Sequence, residues 1–205
     1  MLNDFYISGV DDEIFSRIRG KSYKEDCFLP REELRYLHVM HKDLNGKIFP
    51  GELICNVYIV AALLDIFKKL YAADYPIEKI RLIDEYDADD EKSMADNNSS
   101  CFNFRVVAGT KRISLHALGL AVDINPLYNP YITFSGGKKN IAPANSADFE
   151  DREKNFPYKI ADDDFCKKLF TEHGFIWGGD WTDCKDYQHF ALPDDIVAKL
   201  YPGVR

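Results

Sequence analysis

Asp123 lies between Val122 and Ile124 in the run SLHALGLAVDINP, Ser114 to Pro126, a stretch apolar enough to belong to a core. An unpaired buried carboxylate costs several kcal/mol, so Asp123 requires a cation, a metal or a set of donors. His116 stands seven residues earlier, with Gly119 between them. Positions an odd number apart point to opposite faces of a straight strand, so a turn at Gly119 is needed to bring both side chains to one point.

A second run, WGGDWTDCKDYQHF, Trp177 to Phe190, sets His189 beside Phe190 in a short apolar strand and Asp186 three residues earlier. The odd spacing puts Asp186 in the loop before that strand, free to lean over whatever His189 holds. Two histidines, one carboxylate and a second carboxylate nearby are the inventory of a catalytic zinc site. Three protein ligands, His116, Asp123 and His189, leave a fourth tetrahedral position for water, and Asp186 is placed to take its proton during attack on a carbonyl. No HExxH helix occurs, which excludes a thermolysin-like arrangement.

The two-part pattern S-x-H-x-x-G-x-A-x-D and D-x-x-H resembles the VanY-type D-alanyl-D-alanine carboxypeptidase family. That family includes L-alanyl-D-glutamate endopeptidases of phage and bacilli, and its zinc-site fold is shared with the hedgehog signalling domain. The resemblance runs from Gly51 through Phe190, taking in GELICN and DNNSSCFNFR, and is weak on either side. It implies zinc on His116, Asp123 and His189, with Asp186 as general base. It further implies that Arg105 steadies the developing oxyanion and that Ser114 helps to hold the substrate. The chain reads FNFRV where many relatives carry a GYRS-type stretch, and its excursion after Asn125 is longer than in the endopeptidases. The implied activity is hydrolysis of D-alanine-containing peptidoglycan stem peptides, with the D-Ala-D-Ala carboxypeptidase leading. The alternatives are the L-alanyl-D-glutamate endopeptidase and a zinc-fold binding module without catalysis. Intact ligands and base favour an enzyme.

Other residues have plainer readings. Trp177 is expected in the core, whereas Trp181, nearer Asp186, is placed to line a peptide groove. Ser114 can equally cap the turn before His116. Arg105 can also be a salt-bridged strand residue. His38, His41 and His173 lack metal-binding company, and His173 closes a helix, where the dipole favours a cation. Asp96, in the acidic stretch 84–98, abuts the resembling segment and is expected as loop surface or site edge.

The elements that must position these groups are legible in part. Helices are expected at 31–34 after Pro30, at 56–73 with Asn56 as N-cap, at 162–173 closed by Gly174, and at 194–200. Strands are expected at 77–83, 102–107, 120–124, 175–177 and 187–192. Residues 125–161, rich in proline and glycine, read as a long irregular functional rim. The mixture without βαβ alternation indicates an α+β fold, an antiparallel sheet packed against helices with the zinc site on the sheet. Residues 1–50 are read as an extension packing on a zinc peptidase domain at 51–205.

At 205 residues and 46% hydrophobic, the chain can build one well-packed core. Its net charge of -8 disfavours nucleic acid and anionic membrane surfaces as partners and suits a small peptide. No stretch has the ~20 apolar residues of a spanning helix, and the N-terminus lacks the pattern of a secretion signal. The expected location is the cell envelope or outside if a leader was removed, and the cytoplasm otherwise. Five cysteines without a C-x-x-C are compatible with free thiols or with one or two bridges.

Overall fold

The computed structural model describes residues 4–107 and 109–204. Strand β1 (Tyr6–Gly9) and helix α1 (Asp12–Ile18) open the chain, followed by β2 (Leu34–Lys42), β3 (Ile48–Asn56) and helix α2 (Val60–Ala72). Strands β1, β2 and β3 form an antiparallel sheet in that order, with β2 and β3 paired from Leu34↔Asn56 to Lys42↔Ile48. The position between residues 50 and 51 therefore falls inside β3.

Helix α2 lies on β2 because its sequence places Val60, Leu63, Ile66, Phe67 and Leu70 on one buried stripe. This stripe meets Leu37, Val39, Leu53 and Cys55 of the sheet in one cluster, which continues to Val122, Phe170 and Phe190. Full burial of each such large apolar side chain contributes roughly 1.5–3 kcal/mol. Asn56 is not the cap of α2. The helix starts four residues later, and Asn56 ends β3, where its amide nitrogen donates to Leu118 O at 2.9 Å and to Tyr201 Oη at 2.7 Å.

The middle of the chain departs most from expectation. Only Lys79–Ile80 of the 77–83 segment is a strand (β4), in parallel register with β5 (Asn98–Ser99). The acidic stretch holds helix α3 (Asp90–Ala95), started by Asp89, whose carboxylate accepts from Lys92 N. Residues 102–107 alternate in sequence but form no regular strand. Their N–H groups go to four different places, Phe102 to Ile54, Asn103 to His116, Phe104 to Ser22 and Val107 to Arg112. Burial does not follow the alternation, since Phe102, Asn103 and Phe104 are all buried and Val106 is exposed, and no single neighbouring strand runs alongside the whole segment.

Strand β6 (Ala121–Asp123) precedes the 125–161 excursion, which is not irregular throughout. It contains a hairpin of β7 (Tyr131–Ser135) and β8 (Lys138–Ala142), turning at Gly136 and Gly137. Arg152 ties the base of the excursion together. Its guanidinium donates to the carbonyls of Tyr128, Phe149 and Ile160 and to Asn129 Oδ1, all between 2.8 and 3.1 Å. Helix α4 (Phe165–Glu172), capped by Asp164, leads to β9 (Ile176–Trp177), β10 (Lys185–Asp186), β11 (His189–Ala191) and helix α5 (Asp194–Leu200). Two further antiparallel sheets result, β6-β11-β9 and β10-β7-β8. The fold is thus α+β, with several small sheets in place of one large one. All five cysteines are free. Among the described residues no helix is long and apolar enough to cross a membrane.

Candidate metal centre

His116 is delivered by a single 3-10 turn, His116–Leu118, closed by Gly119 at φ +64°. A Cβ on Gly119 would stand 2.8 Å from the Asn56 backbone nitrogen, whose N–H donates to the Gly119 carbonyl at 2.9 Å. Glycine meets both demands, the left-handed backbone and the close approach to the end of β3. Ser114 Oγ accepts the His116 N–H at 3.2 Å, so its hydroxyl serves the turn.

The His116 ring is fixed from behind. Its Nδ1 lies 2.6 Å from the Cys101 carbonyl oxygen, which can only accept. Nδ1 therefore carries the proton and Nε2 presents a lone pair forward. Nε2 stands 3.2 Å from Asp123 Oδ2 and 3.2 Å from His189 Nδ1. His189 Nδ1 in turn lies 3.0 Å from Asp123 Oδ1. Strand pairing explains the last contact, because Asp123 and His189 are direct partners in the β6–β11 register. The three ligand atoms lie within 4.8 Å of one another, and all three residues are buried.

Burial alone would raise the Asp123 carboxyl, but its contacts with His116 and His189 hold it far below the usual carboxylate range. A buried anion flanked by two imidazole nitrogens, one with its lone pair fixed inward, is a donor set that a divalent cation completes.

Asp186 sits in β10 opposite Tyr131 of β7, not in a free loop. Its Oδ1 is buried and, among the described residues, accepts no hydrogen bond. Burial pushes its carboxyl well above the ordinary value; His189 and Arg105 pull it down and Asp123 pushes it further up. Asp186 thus feels the charges of Asp123 and His189 without being a member of the ligand group.

Gly178 sets how near Asp186 can come. A Cβ there would lie 2.6 Å from Asp186 O and 2.7 Å from Asp186 Cβ. Gly178→Ala is expected to shift Asp186, leaving metal content at the parental level while lowering kcat/KM by at least about tenfold, since small misplacements of a reacting group carry such costs. Metal analysis and kinetics on the same sample check this; unchanged kcat/KM would remove Gly178 from the account.

Arg105 is ion-paired through Nε with Asp90 at the start of α3, and Asp90 also accepts from Asn103 Nδ2 at 2.8 Å. Sequence reading missed Asp90 because the acidic stretch looked like a solvated loop. Trp181 is half-buried, its ring 5.4 Å from that of His189, whereas Trp177 is buried and donates to Tyr187 O at 2.8 Å. Asp96 does not reach the centre, being held by Lys79 and by Tyr86 Oη at 2.7 Å each. His41 and His173 are engaged structurally, His41 with Ile77 O and His173 with Leu169 O and Asp65. His38 stacks on Tyr6.

Residues 108–192 match the family described as D-alanyl-D-alanine carboxypeptidase. The matched stretch contains His116, Asp123, Asp186 and His189 together. That match supports a VanY-like zinc peptidase family and a carboxypeptidase-like metallopeptidase. Arg105 and Asp90 lie before the match begins. No curated protein and no solved structure matches the chain. The metallopeptidase family is metal-dependent, and the His116, Asp123 and His189 group is this chain's candidate metal site.

Proposed function

We infer that this metallopeptidase is a zinc-dependent D-alanyl-D-alanine carboxypeptidase acting on peptidoglycan stem peptides. The observation that carries the reading is the convergence of His116, Asp123 and His189 beside the unpartnered carboxylate oxygen of Asp186, inside the stretch that matches the carboxypeptidase family. Two imidazoles and one carboxylate, three ligands in all, are a set typical of catalytic zinc. When bound, zinc polarises a carbonyl and acidifies a water molecule.

The chain's own residues do the rest. His116, Asp123 and His189 hold the ion, with the Cys101 carbonyl fixing the His116 tautomer. Asp186 accepts the proton of the attacking water and returns it to the leaving amine of the terminal D-alanine. Arg105, steadied by Asp90, offers positive charge to the oxyanion. Ser114 holds substrate near the turn it caps, and Trp181 lines the groove next to His189.

Incubation with intact muropeptides tests the reading. Loss of one C-terminal D-alanine from stems ending in D-Ala-D-Ala, read by mass, is the expected result. Cleavage between L-alanine and D-glutamate would identify the endopeptidase alternative, and no cleavage by zinc-loaded protein would identify a binding module.

A further inference from the structure

A carboxypeptidase must recognise the free carboxylate that ends its substrate, and none of the residues assigned so far does so. Arg105, paired with Asp90, is already given to the oxyanion. The segment around it folds back on itself outside the named strands. Val106 and Ile113 form an antiparallel bridge, Val107 N donates to Arg112 O at 2.8 Å, and Ser114 N donates to Arg105 O at 3.1 Å. This pattern sets Arg105 opposite Ser114 and Val107 opposite Arg112.

Cross-strand partners share a face, and faces alternate along a ladder. Arg105, Val107, Arg112 and Ser114 therefore occupy one face, and Val106 and Ile113 the other. Ile113 packs against the core. The opposite face runs from buried Ser114, two residues before His116, to exposed Arg112. Two residues of extended chain span roughly 7 Å, close to one added substrate residue (~3.5 Å) plus a hydrogen bond (~2.9 Å). The positive charge of Arg112 also acts on the Tyr131 hydroxyl and the Cys184 thiol, both of which feel Asp186. Among the described residues the Arg112 guanidinium has no ion-pair or hydrogen-bond partner.

We propose that Arg112 is the residue that binds the C-terminal carboxylate of the peptide, and so restricts the site to removal of a terminal amino acid. A guanidinium presents paired N–H donors in the geometry of a carboxylate, which a neutral peptide amide cannot match. The assignment rests on the carboxypeptidase reading, but its test is separable from it.

Two peptides ending in D-Ala-D-Ala, one as the free acid and one as the C-terminal amide, are titrated into zinc-loaded Asp186→Asn protein, with and without Arg112→Gln. Cleavage of both peptides by the parent and by Arg112→Gln is followed in parallel. Free acid is expected to bind at least about tenfold more tightly than amide, and Arg112→Gln to erase that gap with melting temperature unchanged. In the kinetic arm the loss falls on KM for the free acid, and Arg112→Lys recovers part of it. A free-acid preference that persists in Arg112→Gln, or that is absent from the parent, overturns the assignment. If the gap depends on Arg112 but the parent releases no D-alanine, the assignment stands and the proposed reaction falls.

Discussion

Asp186→Asn protein is expected to retain its metal and to release D-alanine at least about 100-fold more slowly than the parent, the lower bound for loss of a general base. Asparagine keeps the shape of the side chain and removes its basicity. Asp186 Oδ1 is buried and, among the described residues, accepts no hydrogen bond, so the change breaks none at that atom. Burial raises the carboxyl above its ordinary value, which brings its basicity nearer to that needed at neutral pH. The competing role is orientation of His189. In that case the variant would lose ~10–100-fold in metal affinity and recover activity in excess zinc. Metal stoichiometry measured beside kcat/KM separates the two, and a near-parental rate with full metal would rule out Asp186 as the base.

Removal of the metal has the second large effect. Chelation is expected to abolish hydrolysis and to lower the melting temperature, and added zinc to restore both. An ion that binds only the native state stabilises it by RT ln(1 + [L]/Kd), about 4 kcal/mol at a thousandfold excess over Kd. His116→Ala is expected to reproduce the loss without chelator, because Asp123 and His189 alone make an incomplete ligand set. The metal-free protein stays folded, since the packing of Leu63, Ile66, Phe67 and Leu70 on β2 and β3 involves none of the ligands. Scanning calorimetry checks the shift. A transition unmoved by chelator and by zinc would mean that the group holds no ion.

The centre was legible where polar residues interrupt apolar runs. Asp123 between Val122 and Ile124, and His189 beside Phe190, violate the burial pattern, and the structure places both in paired strands. Helix α5 was equally plain, its bounds at Asp194 and Leu200 agreeing with the reading from sequence. What escaped depends on partners remote in the chain. The Cys101 carbonyl that fixes His116 is a backbone group and leaves no trace in side-chain identity. Asp90 looked like one acid among many until α3 brought it to Arg105. Arg112 had a usable signal, its even spacing from Ser114, but the ladder that gives the spacing meaning was hidden because 102–107 read as one continuous strand. The β7–β8 hairpin was obscured by the prolines and glycines around it, which mark turns without saying what lies between them.

The register that sets Asp123 opposite His189 also fixes when the metal can take part in building the molecule. These two residues are 66 positions apart, and His116 and His189 are 73 apart. Closing loops of that span costs chain entropy before any contact is gained. In a zinc finger the ligands are near neighbours, and the ion can gather the chain around itself. Here an ion would find its full set of ligands only once β6 and β11 have met. During synthesis the β2–β3 hairpin and α2 emerge well before His189 exists, leaving the growing chain without its full set of ligands until residue 189 is made.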